Sequence, residues 1–528
     1  MNFGRAIATI GGWTALSRLT GLVREMLIAR YLGAGLVADA FFVAFRLPNL
    51  FRSLFAEGAF NAAFVPLFAG KLEGEGAAAA KRFAEQCLAV LTWSLLLFVA
   101  LMEMVMPWAM FVLAPGFGDL PGKMELATEL SRITFPYLLF ISMVSLQSGV
   151  LNALGRFAAA AGTPVLLNVT AVAVLIALAP YTPTPGHAMA WGVFASGVAQ
   201  FAWLLFSVRA AAMPLAFVLP RLTPEVKTML KRVVPGALGA GMYQVNLTIN
   251  TMIASTVGNG AVSYLNYAER VNQLPLGVVG VAIGTALLPL LSRQLRTGDT
   301  AAAVESQNRA MEMGLLVTLP ATAALITIAR PIVAVLFERG SFTPTDSAAV
   351  APALMLLAAG LPAYVLIKVL TPAFFARHDT RTPVRIAGLS MVVNVVLNLS
   401  LVGWLSYLGM ALSTAVSAWL NVVLLAVILH RRRFFTMDRR LALRLPRIVF
   451  ASLLMAAVLW GAARWLGPYL ATAGLRWGAL GLLVAGGLVA YGLAALLTGA
   501  TRWSDLKGIR RRPGNAVPVP EEPAAEID

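Results

Sequence analysis

The chain has 528 residues, of which 59% are hydrophobic and 12% charged, and its mean hydropathy is +0.79. This composition excludes an ordinary water-soluble globule, which cannot shield so large an apolar fraction, and predicts a polytopic membrane protein. The net charge of +17 does not indicate a nucleic-acid partner, because the basic residues cluster at the ends of apolar runs, where anionic headgroups lie. Since Cys87 is the only cysteine, an intrachain disulfide is excluded.

In chain order, the apolar runs predict an all-α fold of about fourteen transmembrane helices. The predicted spans are 7–32, 37–68, 84–112, 130–154, 163–180, 187–208, 233–256, 261–291, 311–337, 348–375, 384–405, 408–430, 447–466 and 477–498. The first run lacks a small-residue cleavage site, so we expect it to be a span and not a removed signal. Basic residues crowd alternate loops, and the opposite loops hold chiefly Lys123, Arg339, Arg464 and Arg476. This asymmetry predicts that both termini are cytoplasmic.

Residues 38–68 and 261–291 are similar to one another, which predicts a pseudo-twofold repeat of two six-helix lobes. We expect one lobe at 1–220 and a second at 221–435, related by an axis along the membrane normal. Two additional helices would occupy 436–500. The remaining segment, 501–528, is basic and then rich in proline and glutamate, which predicts a disordered cytoplasmic tail.

Charged residues lie within several of these apolar runs. The cations are Arg18, Arg24, Arg46, Arg52 and Arg270, and the carboxylates are Glu25, Asp39, Glu57 and Glu269. A central arginine costs about 2.5–3.5 kcal/mol to insert, so intramembrane charges usually line a water-filled cavity or serve a function. Because the cations outnumber the carboxylates, we expect an anionic ligand, although buried ion pairs that only hold helices together are the alternative.

The choice of arginine indicates which anion is bound. The planar guanidinium donates two parallel hydrogen bonds and stays charged, so it suits phosphate better than an ammonium does. We therefore expect a phosphate or diphosphate in the cavity. Pro48 is predicted to kink the second span and to redirect Asn49, Arg52 and Glu57.

The sequence gives little indication of a catalytic site or a metal site. It contains no phosphate-binding loop, no zinc-protease motif and no nucleophile elbow, so we predict no enzyme and no catalytic residue. The three histidines are dispersed and predict no metal site. Asn250, Asn394 and Asn398 are compatible with an oxygen-rich cation site, but no carboxylate accompanies them in register.

The runs SRLTGLVREMLIARYLGAG at 17–35 and ADAFFVAFRLPNLFRSLFAEGAFNAAFVPLF at 38–68 closely resemble the opening of the MurJ (MviN) family of lipid II flippases. The resemblance extends to 267–275, to ERGSFT at 338–343 and to the predicted span layout. It implies the fold of the multidrug/oligosaccharidyl-lipid/polysaccharide exporter superfamily. Two lobes would form a V around a cationic cavity, and the final two helices would frame a groove for the lipid tail.

The resemblance also implies roles for individual residues. Arg18, Arg24, Arg52, Arg270 and Asp39 fall on functional positions of the family. Arg24, Arg52 and Arg270 would hold the diphosphate, Arg18 would extend the positive field, and Asp39 would pair internally when the site is empty. The predicted substrate-binding set is completed by Asn49, Glu57 and Arg46.

The function implied is translocation of lipid II from the inner to the outer leaflet of the bacterial inner membrane, in peptidoglycan biosynthesis. We expect alternating access by a monomer, no cofactor, and coupling to the membrane potential or to a monovalent cation. The expected partners are lipid II, membrane lipids and the cell-wall synthesis machinery. The alternatives left open are export of another polyprenyl-diphosphate oligosaccharide, a multidrug cation antiporter, and a scaffold of cell-wall synthesis without transport.

Overall fold

The computed structural model describes residues 3–55, 59–472 and 474–501; side chains are described for fewer positions, excluding 3–8, 54–59, 234–243 and 277–286. Within these ranges the chain is helical and contains no strand, which confirms the predicted fold class. The first half contains α1 (Phe3–Leu32), α2 (Leu36–Phe55), α3 (Ala59–Gly74), α4 (Ala77–Leu113), α5 (Lys123–Thr134), α6 (Tyr137–Ala153), α7 (Phe157–Leu178), α8 (Pro185–Ala210) and α9 (Pro224–Ser255).

The second half continues in the same manner. It contains α10 (Ala261–Arg296), α11 (Thr300–Thr327), α12 (Ala329–Phe337), α13 (Pro344–Ala359), α14 (Leu361–Phe375), α15 (Arg381–Leu405), α16 (Tyr407–Arg431), α17 (Arg439–Trp465), α18 (Gly467–Ala471) and α19 (Arg476–Leu497). The described parts of the predicted span 37–68 lie in α2 and α3, residues 56–58 are outside the described residues, and Pro48 lies inside α2.

Ten helical segments of the described chain are long and apolar enough to cross a bilayer. They correspond to the predicted spans in α4–α8 and in α11–α19, with α5–α6 and α13–α14 each counted as one segment. The other four predicted spans correspond to α1, α2–α3, α9 and α10, and three of these carry the intramembrane charges. The total of fourteen therefore stays a prediction.

By contact density the chain divides into two units. Unit one contains Met1–Leu274, Ala329–Gly360 and Arg381–Asn421, and unit two contains Pro275–Ile328, Leu361–Thr380 and Val422–Asp528. Contact density and internal sequence similarity measure different properties. The predicted lobes at 1–220 and 221–435, and the helix pair at 436–500, accordingly stay predictions.

Small residues allow helices in unit one to approach closely. A Cβ atom added to Gly192 of α8 would lie 2.9 Å from the carbonyl oxygen of Ala171 on α7. Next to this contact, Ser196 donates a hydrogen bond to the Leu167 carbonyl at 3.0 Å, and Gln200 donates to the Thr163 carbonyl at 2.8 Å. Close backbone packing with polar side-chain bonds is typical of membrane helix bundles.

Unit two is held together by charge as well as by apolar packing. Glu312 of α11 is buried and accepts from Arg309 at 2.6 Å, from Arg440 at 3.1 Å and from Arg444. Because Arg440 and Arg444 belong to α17, these bonds fasten the first of the two C-terminal membrane helices to α11. The α17–α19 pair also packs through Ile448, Ala451, Ala494 and Ala495.

Candidate functional site

Two arginines from distant parts of the chain converge on one buried carboxylate in unit one. Arg24 Nη2 lies 2.8 Å from Glu25 Oε1, and Arg270 Nε lies 3.4 Å from the same oxygen. Arg24 and Glu25 are on α1, whereas Arg270 is on α10. Glu25 is 4% exposed, and the side chain of Arg270 is 42% exposed. The Arg270 guanidinium is therefore accessible, whereas its carboxylate counter-ion is buried.

The charge of this cluster is not balanced. Two guanidinium groups share one carboxylate, which leaves one positive charge. Glu25 Oε2 and Arg24 Nε are buried and make no hydrogen bond with any described residue. Buried polar groups are costly to leave unpaired, and charged ones more so. An anion with several acceptor oxygens would satisfy the remaining guanidinium donors.

The other predicted arginines lie elsewhere on α1 and α2. Arg18 is exposed and makes no ion pair within the described part of the chain. Arg46 donates to the Leu247 carbonyl of α9 at 3.2 Å. Arg52 Nε donates to Asn49 Oδ1 at 3.2 Å, and Asn49 in turn donates to the Phe45 carbonyl at 3.0 Å. Glu57 lies outside the described residues.

Asp39 is held by a different set of partners. Its carboxylate lies 2.7 Å from Lys123 Nζ and accepts the backbone N–H groups of Gly260 at 2.7 Å and Ser263 at 2.8 Å. Both side chains of the ion pair are 0% exposed. Lys123 also donates to Asn259 at 3.2 Å. Asp39 therefore joins the start of α2 to the start of α5 and the first turn of α10, and its membership of the substrate-binding set stays a prediction.

The turn that follows α1 packs against the turn between α12 and α13. Ser341 N–H donates to the Arg30 carbonyl at 2.8 Å, and Tyr267 Oη donates to the Gly33 carbonyl at 2.8 Å. Gly33 and Gly340 have φ of 68° and 58°, and a Cβ atom at either would lie within 2.6 Å of a facing backbone oxygen. Glycine is therefore required at both positions. The contact holds the end of α1 against the turn between α12 and α13.

The predicted amide cluster does assemble between α9 and α15 in unit one. Asn398 Nδ2 donates to Asn250 Oδ1 at 2.8 Å and to Asn394 Oδ1 at 3.3 Å. The described residues contain no group of three or more histidine, cysteine or acidic side chains that could hold a metal ion, here or elsewhere. The cluster is therefore neutral and joins two helices by hydrogen bonds.

Two participants were missing from the predicted site set. The charge pattern predicts Lys123 in an outward-facing loop, yet its side chain is fully buried and its ammonium lies 4.3 Å from the ring centre of Phe117. The sequence shows Glu25 only as one of several carboxylates within apolar runs. That Arg270 approaches it depends on how α1 and α10 pack, which the sequence does not show.

Comparison with known proteins decides the family. The family described as lipid II flippase MurJ matches residues 28–477. The chain belongs to the MurJ family. A probable lipid II flippase MurJ of Rhizobium meliloti (strain 1021) is 45% identical over 527 residues, covering 98% of each chain. The lipid II flippase MurJ of Burkholderia cenocepacia is 39% identical over 467 residues, covering 87% of this chain and 90% of the relative.

Solved structures support the same fold. A lipid II flippase MurJ in an inward closed conformation matches with a TM-score of 0.77 at 24% identity, covering 94% of this chain and 99% of that chain. An inward-facing multidrug resistance MATE transporter of the MOP superfamily matches with a TM-score of 0.64 at 16% identity, covering 79% and 94%. The MurJ family and the predicted superfamily fold are therefore confirmed.

Proposed function

We propose that this chain is a lipid II flippase of the bacterial inner membrane, a transporter and not an enzyme. The observation that carries the proposal is the convergence of Arg24 and Arg270 on Glu25 within a chain of the MurJ family. Lipid II presents a diphosphate, and a pair of guanidinium groups with one excess positive charge is suited to bind it.

In this proposal the diphosphate binds Arg24 and Arg270, with Arg52 as a further donor. Glu25 holds the two guanidinium groups in position while the cavity is empty. One carboxylate balances only one of the two guanidinium groups. The bound diphosphate supplies the negative charge that balances the other. Arg18 and Arg46 extend the positive field along α1 and α2, and Asn49 orients Arg52 through its hydrogen bond.

Alternating access follows from the seal beside Asp39. With Asp39 bonded to Lys123 and to the start of α10, the outward end is closed and the substrate enters from the cytoplasmic leaflet. Outward opening requires these bonds to break. The free energy needed to break these bonds keeps the empty carrier in the inward-facing state. Bound substrate shifts the equilibrium between the inward- and outward-facing states only by the difference in its affinity for the two.

We propose that the membrane potential drives the cycle. Moving one negative charge outward across 100 mV is worth about 2.3 kcal/mol when the cell interior is negative. Both termini would be cytoplasmic, as the positive-inside pattern predicts. We further propose that the protein works as a monomer and passes lipid II to the cell-wall synthesis machinery.

The decisive experiment is translocation of fluorescent lipid II in proteoliposomes, with and without an imposed potential. We expect Arg270→Ala to abolish translocation and Arg293→Ala, an exposed arginine at the end of the same helix, to leave it intact. Normal translocation by Arg270→Ala would overturn the role of the cluster. Rates unchanged after the potential is collapsed would overturn only the energy source.

A multidrug cation antiporter is the second candidate, because a MATE transporter shares the fold. A cation substrate calls for carboxylates in the cavity, whereas the cluster around Glu25 carries excess positive charge. The same liposomes, tested for export of a cationic dye, distinguish the two. Replacing lipid II by another polyprenyl-diphosphate oligosaccharide in the translocation assay tests how strictly the sugar is selected.

A further inference from the structure

Unit two contains a basic site of its own. A cavity of about 650 Å³ forms where the first turns of α11 meet the turns that follow α14 and α16. The residues that matter here are Ala301, Val304, Arg377, Arg432, Arg433 and Phe434. The cavity thus combines three guanidinium groups with an apolar wall.

Carboxylates near the cavity are already engaged. Arg432 Nη1 bonds to Asp379 at 2.6 Å, and Asp438 bonds to Arg309. Glu305, which also lines the cavity, lies 4.0 Å from Arg309. The wall therefore contains two acidic side chains, and both lie near Arg309.

Two arginines of the wall have no acidic partner within the described part of the chain. Arg377 stacks 4.4 Å from the ring centre of Phe434 and donates to the Ala373 carbonyl at 2.8 Å, and Arg433 is exposed. Burial lowers the pKa of Arg377 from its ordinary value, as expected for a guanidinium drawn partly out of water without a carboxylate beside it. The cavity therefore has an excess of positive charge.

The turns that carry these arginines are strained. His378, next to Arg377, has φ of 60°, and Arg433 has φ of 59°. A non-glycine residue in the left-handed region costs roughly 1–2 kcal/mol. Both residues follow the last turn of a helix, and the next N–H group donates back to that turn: Asp379 to the Phe374 carbonyl at 3.0 Å and Phe434 to the Leu429 carbonyl at 2.9 Å. These defined turns bring the guanidinium groups of Arg377 and Arg433 to one cavity.

We propose that this cavity binds the phosphodiester headgroup of an anionic phospholipid from the leaflet that the charge pattern places inside. Arginine-rich pockets between membrane helices bind such headgroups, and the guanidinium fork matches phosphate oxygens. A lipid is favoured over a free phosphate because apolar side chains border the same turns: Phe375 is 38% exposed and Met437 is 52% exposed. These side chains would contact the acyl chains while Arg377 and Arg433 bind the phosphate.

The test is titration of the purified full-length protein in detergent micelles with phosphatidylglycerol, using the thermal unfolding midpoint as the measure of binding. Arg377→Gln/Arg433→Gln should weaken the apparent affinity about thirtyfold, since each basic residue near a headgroup contributes about 1 kcal/mol. The matched control is Arg293→Gln/Arg439→Gln, which removes the same charge from two exposed arginines outside the cavity and should titrate like the unmodified chain.

Two further measurements identify the source of the phosphate and test whether a folding defect explains the result. Phosphatidylcholine and inorganic phosphate should not produce the arginine-dependent shift; if inorganic phosphate does, the lipid assignment is overturned. Ala301→Trp fills the cavity and leaves every arginine in place, so it should also weaken phosphatidylglycerol binding. Equal titration by the cavity variants and the control would overturn the site.

Discussion

Arg270 Nε on α10 lies 3.4 Å from Glu25 Oε1 on α1, so this ion pair joins two helices that are far apart in the sequence. Glu25 is buried, whereas Arg270 is nearly half exposed. The carboxylate therefore acts as an internal counter-ion for a guanidinium that we propose binds the ligand. In this proposal the strength of the ion pair determines how strongly an incoming anion is bound.

Glu25→Gln should strengthen anion binding and slow translocation. Without the carboxylate, Arg24 and Arg270 keep their full charge for the ligand, which is worth about 1–2 kcal/mol, or roughly tenfold in affinity. Tighter binding in the inward state hinders release on the other side. Binding of undecaprenyl diphosphate and translocation of lipid II measure the two effects. Weaker binding by the Gln variant would contradict the counter-ion role.

Lys123→Met should destabilise the protein by about 3–5 kcal/mol, because it leaves the buried Asp39 carboxylate without its cation. Lys71→Met is the matched control. Lys71 pairs with Glu75 at 3.0 Å on the exposed end of α3, where an ion pair contributes about 0–1 kcal/mol. Thermal unfolding in micelles measures both, and an equal shift for the two variants would contradict the importance of the buried pair.

Asp39→Asn should loosen the outward seal while keeping the size of the side chain. Gly260 and Ser263 donate to different oxygens of Asp39, so asparagine, with one carbonyl oxygen, keeps one of these two bonds and also loses the ionic bond to Lys123. A cysteine at Ser263 reports the opening, because Ser263 is 0% exposed and the native Cys87 is also buried. Faster labelling of Ser263→Cys by a membrane-impermeant thiol reagent is expected in the Asp39→Asn background, and unchanged labelling would exclude a gating role.

Glu312→Gln should cost about 3–5 kcal/mol of stability, because Arg309, Arg440 and Arg444 would then lie together without their shared carboxylate. Glu305→Gln provides the control, since Glu305 is exposed and 4.0 Å from Arg309. The expected loss appears in the thermal unfolding midpoint. A neutral result for Glu312→Gln would show that apolar packing alone holds α17 against α11.

Translocation should not require sodium. The only polar cluster predicted as a cation site consists of Asn250, Asn394 and Asn398, which are bonded to one another and carry no charge. Hard cations bind most strongly where carboxylates contribute. Proteoliposomes at a fixed potential should translocate lipid II equally with sodium or with choline inside and outside. A sodium requirement would contradict this prediction.

Long apolar runs predicted the helical class because they leave few alternatives in a bilayer, and the superfamily fold was implied by the resemblance of 17–35 and 38–68 to the MurJ family. The sequence also singled out Arg24 and Arg270, since an arginine within an apolar run is conspicuous. They did not pair Asp39 with Lys123, because that contact depends on how α2, α5 and α10 pack. The sequence likewise showed Glu25 as a charged residue, but it did not show that Arg24 and Arg270 both contact it.

The close fit of Gly33 and Gly340 against facing backbone has a consequence for the whole cell. A carrier for a large headgroup must contain a wide wet passage, and such a passage conducts protons and small ions whenever both ends are open together. At Gly33 and Gly340 backbone packs on backbone with no side chain between, so water has no space at these two contacts. In the proposed cycle, such contacts would help the cell to keep its proton-motive force while a bulky lipid-linked sugar crosses its membrane.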